Sequence, residues 1–383
     1  MWPQEKARYS QAVLSSKRLG FYDWYIDEHS RLGPWGHGGP SFLPWHRQFI
    51  RQFELQLRAL DSGVTLPYWD WTVDQDIAGS TLWSEYFMGG TGRAGDNQVL
   101  NGPFTYANGN GWVCRDTERP YLRRQLGGFN NTVKLPTEDD VKACLAQVPY
   151  DQSPWDNTDH PSFRNYLEGG IGPGIHNVVH GWVSGNMGDV LSAPNDPVFF
   201  LHHANVDRIW TLWQKRNPNA YAPVSGGPQG QNQPDVMHPW EQLSVRISSV
   251  LDHAALGYVY DTEEPTAQGN GMLPGDVLRP RDRIYSPNGA YALVYEELGG
   301  RLTLYDNVNG NRLLWQVPQN PTSLGKVIMD TDGSLIVYNA TGVVWSSNTP
   351  HQPGNRMYLS MTGQVQIYNM AQKLVPWAAP EPA

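Results

Sequence analysis

Cysteine is almost missing from this chain. Only Cys114 and Cys144 occur among 383 residues, which excludes a disulfide framework, and neither lies close in sequence to another residue suited to holding a metal. Two states are open to them: one bridge closing a loop of about 30 residues, worth about 3–4 kcal/mol by chain entropy, or two buried thiols. A second absence favours the thiols. The N-terminus, MWPQEKARYSQAVLSSKR, lacks the apolar middle of a secretory signal. A soluble protein with no export signal of its own is expected, either cytoplasmic or exported with a partner. No stretch approaches the roughly 18 consecutive apolar residues of a membrane helix. Positive charge is also short: 28 Lys and Arg face 37 Asp and Glu, a net charge of −9. With no basic cluster as a local exception, nucleic acid is excluded as a partner.

Aromatic residues, by contrast, are plentiful. The 16 Trp and 19 Tyr, within a 39% hydrophobic composition, indicate an ordered chain with dense aromatic packing, and the length suits two domains. Glu5 to Ile26 places Tyr9, Val13, Leu14, Leu19 and Tyr22 at helical spacing, with a break near Gly20. Pro44 stands at the head of WHRQFIRQFELQLRAL, an amphipathic helix carrying His46 in its first turn. Further helices are expected over PTEDDVKACLAQV, GIHNVVHGWV and NDPVFFLHHANVDRIWTLWQKR. In the last of these, Asn195 or Asp196 would cap and Pro197 would take the first helical position.

From about Gly269 the pattern changes to alternating β runs: ALVYEE, RLTLYDN, LLWQV, KVIMD, SLIVYN, VVWSS, MYLSM and QVQIYN. The runs repeat, with Tyr305, Tyr338 and Tyr368 each followed within about ten residues by Trp315, Trp345 or Trp377. Three related sheets around a shared aromatic core fit that period. The fold expected is a mainly α N-terminal domain over residues 1–263, a linker over 264–274 and an all-β domain over 275–383.

Six of the eleven histidines form two groups. His176 and His180, four apart on a helix, project from one face and can chelate one ion. HHANVDR, on the next helix, offers a third ligand, and there Asp207 lies one turn beyond His203 and could accept its second ring proton. His29, His37 and His46 form the N-terminal group. Three imidazoles per ion suit copper, zinc or iron.

GGPSFLPWHRQF, LPYWDW, FRNYLEG, IHNVVHGWV and APNDPVFFLHHANVDRIW, in that order, resemble the two copper-binding regions of tyrosinases, above all bacterial ones. The resemblance spans roughly residues 5 to 262. It implies a four-helix bundle holding two copper ions, with His29, His37 and His46 on one and His176, His180 and His203 on the other, and His202 left as a residue that supports the ligands or only packs. It also implies that dioxygen is the co-substrate, with small phenols hydroxylated at the ortho position and o-diphenols oxidised to o-quinones. Phe199 matches an aromatic packed beside an imidazole of the second ion. Glu168 and Asn177 match residues that hold a water activating the phenol. Bacterial relatives often need a copper-loading helper protein.

The chain departs from that pattern in three places. Seven residues separate His29 from His37, a short connection. No cysteine adjoins His37, so a cysteine–histidine thioether is excluded. Gly181 follows His180 where some relatives carry a larger residue, which widens the pocket entrance. Oxidation of o-aminophenols, or of catechols alone, stays open as an alternative, as does a dioxygen-binding or carbohydrate-binding protein. His160, His238, His253 and His351 match no ligand position.

Residues 275–383 resemble a bulb-type mannose-binding lectin domain, a three-sided β-prism. The second repeat, Asp330, Asp332, Ser334, Ile336 and Tyr338, keeps part of the QxDxNxVxY sugar motif while the others have lost most polar positions. At most weak carbohydrate binding is expected, and a shielding or interaction role is favoured.

Overall fold

The computed structural model describes all residues except 2, 107–110, 116, 129–130, 159, 173, 219, 261, 263–268, 350–353, 370–371, 373 and 381–383, with the side chains of 3, 4, 34 and 374 also left aside. Contacts divide the chain into two compact units, Pro3–Tyr258 and Val259–Ala383.

The first unit is helical. Helices α1 (Pro3–Arg18) and α2 (Phe21–Gly36) are parted at Gly20, whose φ of 80° suits a residue without Cβ. α3 runs over Phe42–Leu60, two residues earlier than Pro44 suggests. Pro44 is accommodated because first-turn N–H groups have no intrahelical acceptor to lose. α4 (Glu138–Leu145) starts from a reciprocal cap between Thr137 and Asp140. α5 (Phe163–Glu168), α6 (Ile175–Val183) and α7 (Val198–Arg216) follow. At the start of α7, Asp196 accepts the Val198 N–H at 3.0 Å, and the cap position itself falls to Pro197. α3 packs against α1, α2 and α7, and its buried face includes His46 and Arg47. Cys114 and Cys144 are buried and free, as two thiols rather than a bridge. No helix among the described residues is long and apolar enough to cross a membrane.

The second unit is a β-prism of three four-stranded antiparallel sheets. Its strands are β1 (Gly271–Met272), β2 (Val277–Leu278), β3 (Arg283–Tyr285), β4 (Tyr291–Tyr295), β5 (Leu302–Asp306), β6 (Arg312–Val317), β7 (Gly325–Met329), β8 (Leu335–Asn339), β9 (Gly342–Ser346), β10 (Asn355–Leu359), β11 (Val365–Asn369) and β12 (Leu374–Ala379). The sheet orders are β1-β10-β11-β12, β2-β7-β8-β9 and β3-β4-β5-β6. Part of the expected linker is therefore strand: Gly271 and Met272 pair with Tyr358 and Met357. Residues 264–268 of it, like His351, lie outside the described residues.

Each sheet turns inward the same way. Leu293, Leu304, Val327, Val337, Leu359 and Ile367 are fully buried in one core. The pairing register slips at Leu304/Tyr305, at Val337/Tyr338 and between Ile367 and Asn369. The repeated tyrosine thus marks the same irregularity in all three sheets, a device that bends a strand and sharpens its twist. Trp315, Trp345 and Trp377 meet edge to face, with ring centroids 5.6–5.9 Å apart. Leu304→Ala should destabilise this unit by about 2–5 kcal/mol, read as a lower denaturant midpoint at unchanged slope.

Candidate metal centre

Four helices deliver imidazoles to one buried place. α2 supplies His29 and leads directly into His37, and α3 supplies His46; their ring centroids lie 4.8–5.7 Å apart. α6 supplies His176 and His180, 4.5 Å apart, and α7 supplies His203, 4.9 Å from His176 and 5.7 Å from His180. The groups adjoin: the His46 and His203 rings stack at 4.2 Å with planes 7° apart. Donor atoms within each group lie within 4.8 Å of one another, and the second group includes a fourth member, His202.

Backbone carbonyls set the tautomers. Nδ1 of His37 faces the Gly33 carbonyl at 3.0 Å, His46 that of Phe42 at 2.9 Å, and His180 that of Met187 at 2.8 Å. Nδ1 of His176 faces both the Glu168 carbonyl at 3.2 Å and Asn177 Oδ1 at 3.0 Å. A ring that donates through Nδ1 presents a bare lone pair at Nε2. His176 Nε2 and His180 Nε2 then stand 3.1 Å apart with no proton between them. Two such lone pairs repel, whereas nitrogen ligands about 2.0–2.1 Å from a tetrahedral ion lie roughly 3.4 Å apart. The donor set fits a metal cation. His46 Nε2, His29 Nε2 and both ring nitrogens of His203 are likewise buried without a hydrogen-bond partner among the described residues.

Burial keeps these rings neutral. It pulls His37 and His180 down to about 4, against the Gly33 and Met187 carbonyls. Burial first, and neighbouring imidazoles second, hold His29, His46, His176, His202 and His203 well below the usual histidine range. Neutral imidazole is the form that binds metal.

Around the rings, Phe199 packs 4.2 Å from His203 and 4.9 Å from His29, and Phe42 lies 4.9 Å from both His46 and His176. Glu168 Oε1 accepts the Gly38 N–H at 2.6 Å and Oε2 accepts from Arg164 at 3.1 Å. This carboxylate ties the loop after His37 to the helix preceding His176. Burial lifts its carboxyl to about 7 despite Arg164. A Cβ added at Gly181 would meet no atom of the described residues within 4 Å, its own neighbours in the helix aside.

Asp207 departs from expectation. Although one turn from His203, its carboxylate accepts from Arg47 Nε at 2.6 Å and from the Tyr258 hydroxyl at 2.6 Å, and His203 Nδ1 has no hydrogen-bond partner among the described residues. The buried guanidinium competes better for the carboxylate than a neutral imidazole can. Arg47 also reaches the Leu251 carbonyl at 2.7 Å and lies 3.7 Å over the Trp210 ring, so Asp207 locks α3 to α7 instead of orienting a ligand. Of the unmatched histidines, His160 is buried beside Asp151 at 3.3 Å, His238 pairs with Glu241, and His253 packs on Tyr258.

The tyrosinase common central domain matches residues 17–216, and a tyrosinase of Streptomyces glaucescens is 44% identical over 270 residues, covering 68% of this chain and 95% of that one. The chain belongs to the tyrosinase family. It is a copper oxidase with phenolic substrates. A grixazone synthase of Streptomyces griseus is 38% identical over 307 residues, 68% of this chain and 96% of that one. A monomeric mannose-binding lectin from Gastrodia elata matches 30% of this chain and 99% of its own length, at 26% identity and a TM-score of 0.27.

Arg164 is the functional residue that sequence reading missed. Its guanidinium is fully buried and binds Asp151 at 2.8 and 3.1 Å as well as Glu168. The signal was present, since Arg164 and Glu168 sit four apart on α5. Arg164→Met would strand two buried carboxylates, and a loss of about 3–5 kcal/mol is expected, measurable by chemical denaturation.

Proposed function

We propose that His29, His37 and His46 hold one copper ion, that His176, His180 and His203 hold a second, and that the protein uses dioxygen to hydroxylate monophenols at the ortho position and oxidise o-diphenols to o-quinones. The facing lone pairs of His176 and His180, 3.1 Å apart, carry this reading. When bound, the ions supply the redox capacity to reduce dioxygen and to take electrons from the ring.

The chain's own residues prepare the substrate. The carbonyls of Gly33, Phe42, Glu168 and Met187 fix the rings so that Nε2 points inward. Phe42 and Phe199 wall them with apolar surface that excludes water. A phenol must shed its proton to coordinate, and Glu168 is the base, directly or through a water shared with Asn177. Each Glu168 oxygen accepts one hydrogen bond from Gly38 or Arg164 and keeps a second lone pair for that proton. Asn177 also shares the Nδ1 proton of His176, which couples the base region to a ligand.

The test is oxygen uptake by copper-loaded protein with tyrosine, L-DOPA and o-aminophenol in parallel. Oxidation of tyrosine is expected, and Glu168→Gln should slow it by about 10²–10⁴-fold, far more than it slows L-DOPA oxidation. Loading with copper but oxidation of none of the three would overturn the enzyme reading in favour of a dioxygen carrier. Oxidation of o-aminophenol alone would select the alternative substrate class.

For the β-prism we propose at most weak sugar binding, in the cavity of about 750 Å³ lined by Asn270, Asp276, Arg356, Gln366 and Tyr368 among others. The motif remnant is a poorer place, because Asp332 Oδ1 already accepts the Ser334 N–H at 2.8 Å. Titration with methyl mannoside should give a weak isotherm that Gln366→Ala abolishes. A flat titration of the unaltered chain would leave the unit a shielding or interaction role.

A further inference from the structure

His202 is the one member of the two histidine groups to which the three-plus-three reading gives no task. Its side chain is completely buried. Both of its ring nitrogens lack a hydrogen-bond partner among the described residues, a desolvation cost of about 1–3 kcal/mol for each polar atom. The ring stacks on His176 at 5.1 Å, meets His180 edge-on at 4.8 Å and lies 5.5 Å from Trp71. Packing alone does not explain that arrangement, because a phenylalanine would fill the same aromatic slot without stranding two nitrogens.

Consecutive residues on a helix point about 100° apart, so His202 and His203 would ordinarily face different surroundings. Here the site is narrow enough that a donor atom of each lies within 4.8 Å of the donor atoms of His176 and His180. Four nitrogens at that spacing need only small movements to surround one ion. A lone Cu(II) favours four donors in a tetragonal arrangement, and nitrogen ligands suit it. With a neighbouring copper present, a small ligand between the ions can complete the coordination instead. Before the neighbour arrives, three imidazoles leave the first ion one donor short.

We propose that His202 is a fourth nitrogen donor of the second group, binding copper together with His176, His180 and His203 while the first group is empty. The proposal rests on the copper assignment above.

The full-length chain carrying His46→Ala, which removes one ligand of the first group, confines a single equivalent of Cu(II) to the second. Electron paramagnetic resonance with nitrogen-resolved pulsed detection should then count four imidazole nitrogens. Adding His202→Phe should reduce the count to three and weaken copper binding at least tenfold, read by competition with a chelator. With His203→Ala in place of His202→Phe, three nitrogens should remain. A count of three in the His46→Ala chain itself would overturn the proposal while leaving the copper assignment standing, and this holds even if His202→Phe fails to fold. No copper uptake by His46→Ala or by the unaltered chain would sink both.

Discussion

A set of buried, neutral imidazoles aimed at one another is the constraint on which the helical unit depends. Each ring is desolvated, each keeps at least one lone pair without a hydrogen, and two of those lone pairs stand 3.1 Å apart. Folding without a cation must bear that repulsion and desolvation, so the surrounding scaffold has to hold the rings where they would not stay unaided. Two buried guanidinium centres do this. Arg47 and Asp207 bind α3 to α7, one residue from His46 and four from His203. Arg164 gathers Asp151 and Glu168, and Glu168 reaches across to Gly38 beside His37. Both clamps join the segment bearing one group to the segment bearing the other, which relates the two trios to each other rather than shaping each alone.

That arrangement explains what was legible in the sequence. His176 and His180 could be paired from spacing because one helix fixes their geometry. His29, His37 and His46 made a weaker group by themselves, and the resemblance strengthened it, since a helix end, a turn and a second helix intervene and no local period links them. The role of Asp207 was misread for the same reason. Its distance to His203 along α7 was visible, but its competitor Arg47 is 160 positions away in sequence, and sequence pattern says nothing of a contact that only tertiary packing creates.

In the β-prism, strands of five or six residues with alternating burial, such as β10 and β11, were legible. The two- and three-residue strands β1, β2 and β3 were not, because alternation needs more residues to register. β12 was missed as well; Pro376 within it breaks the pattern, and a proline in an outer strand need not cost a ladder bond. β12 is an outer strand of its sheet. The placement of β1 changes how the unit is understood. Residues expected to be linker contribute an edge strand to the sheet of β10, β11 and β12.

The threefold period also separates architecture from ligand chemistry in that unit. Tyrosines 305, 338 and 368 recur because each marks a slip in pairing register, and the three tryptophans recur because they meet around one axis. Asp332 survives in the second repeat where its carboxylate takes a backbone N–H of the turn between β7 and β8. The repeated tyrosines, the three tryptophans and Asp332 therefore each have a role in the fold that needs no bound sugar.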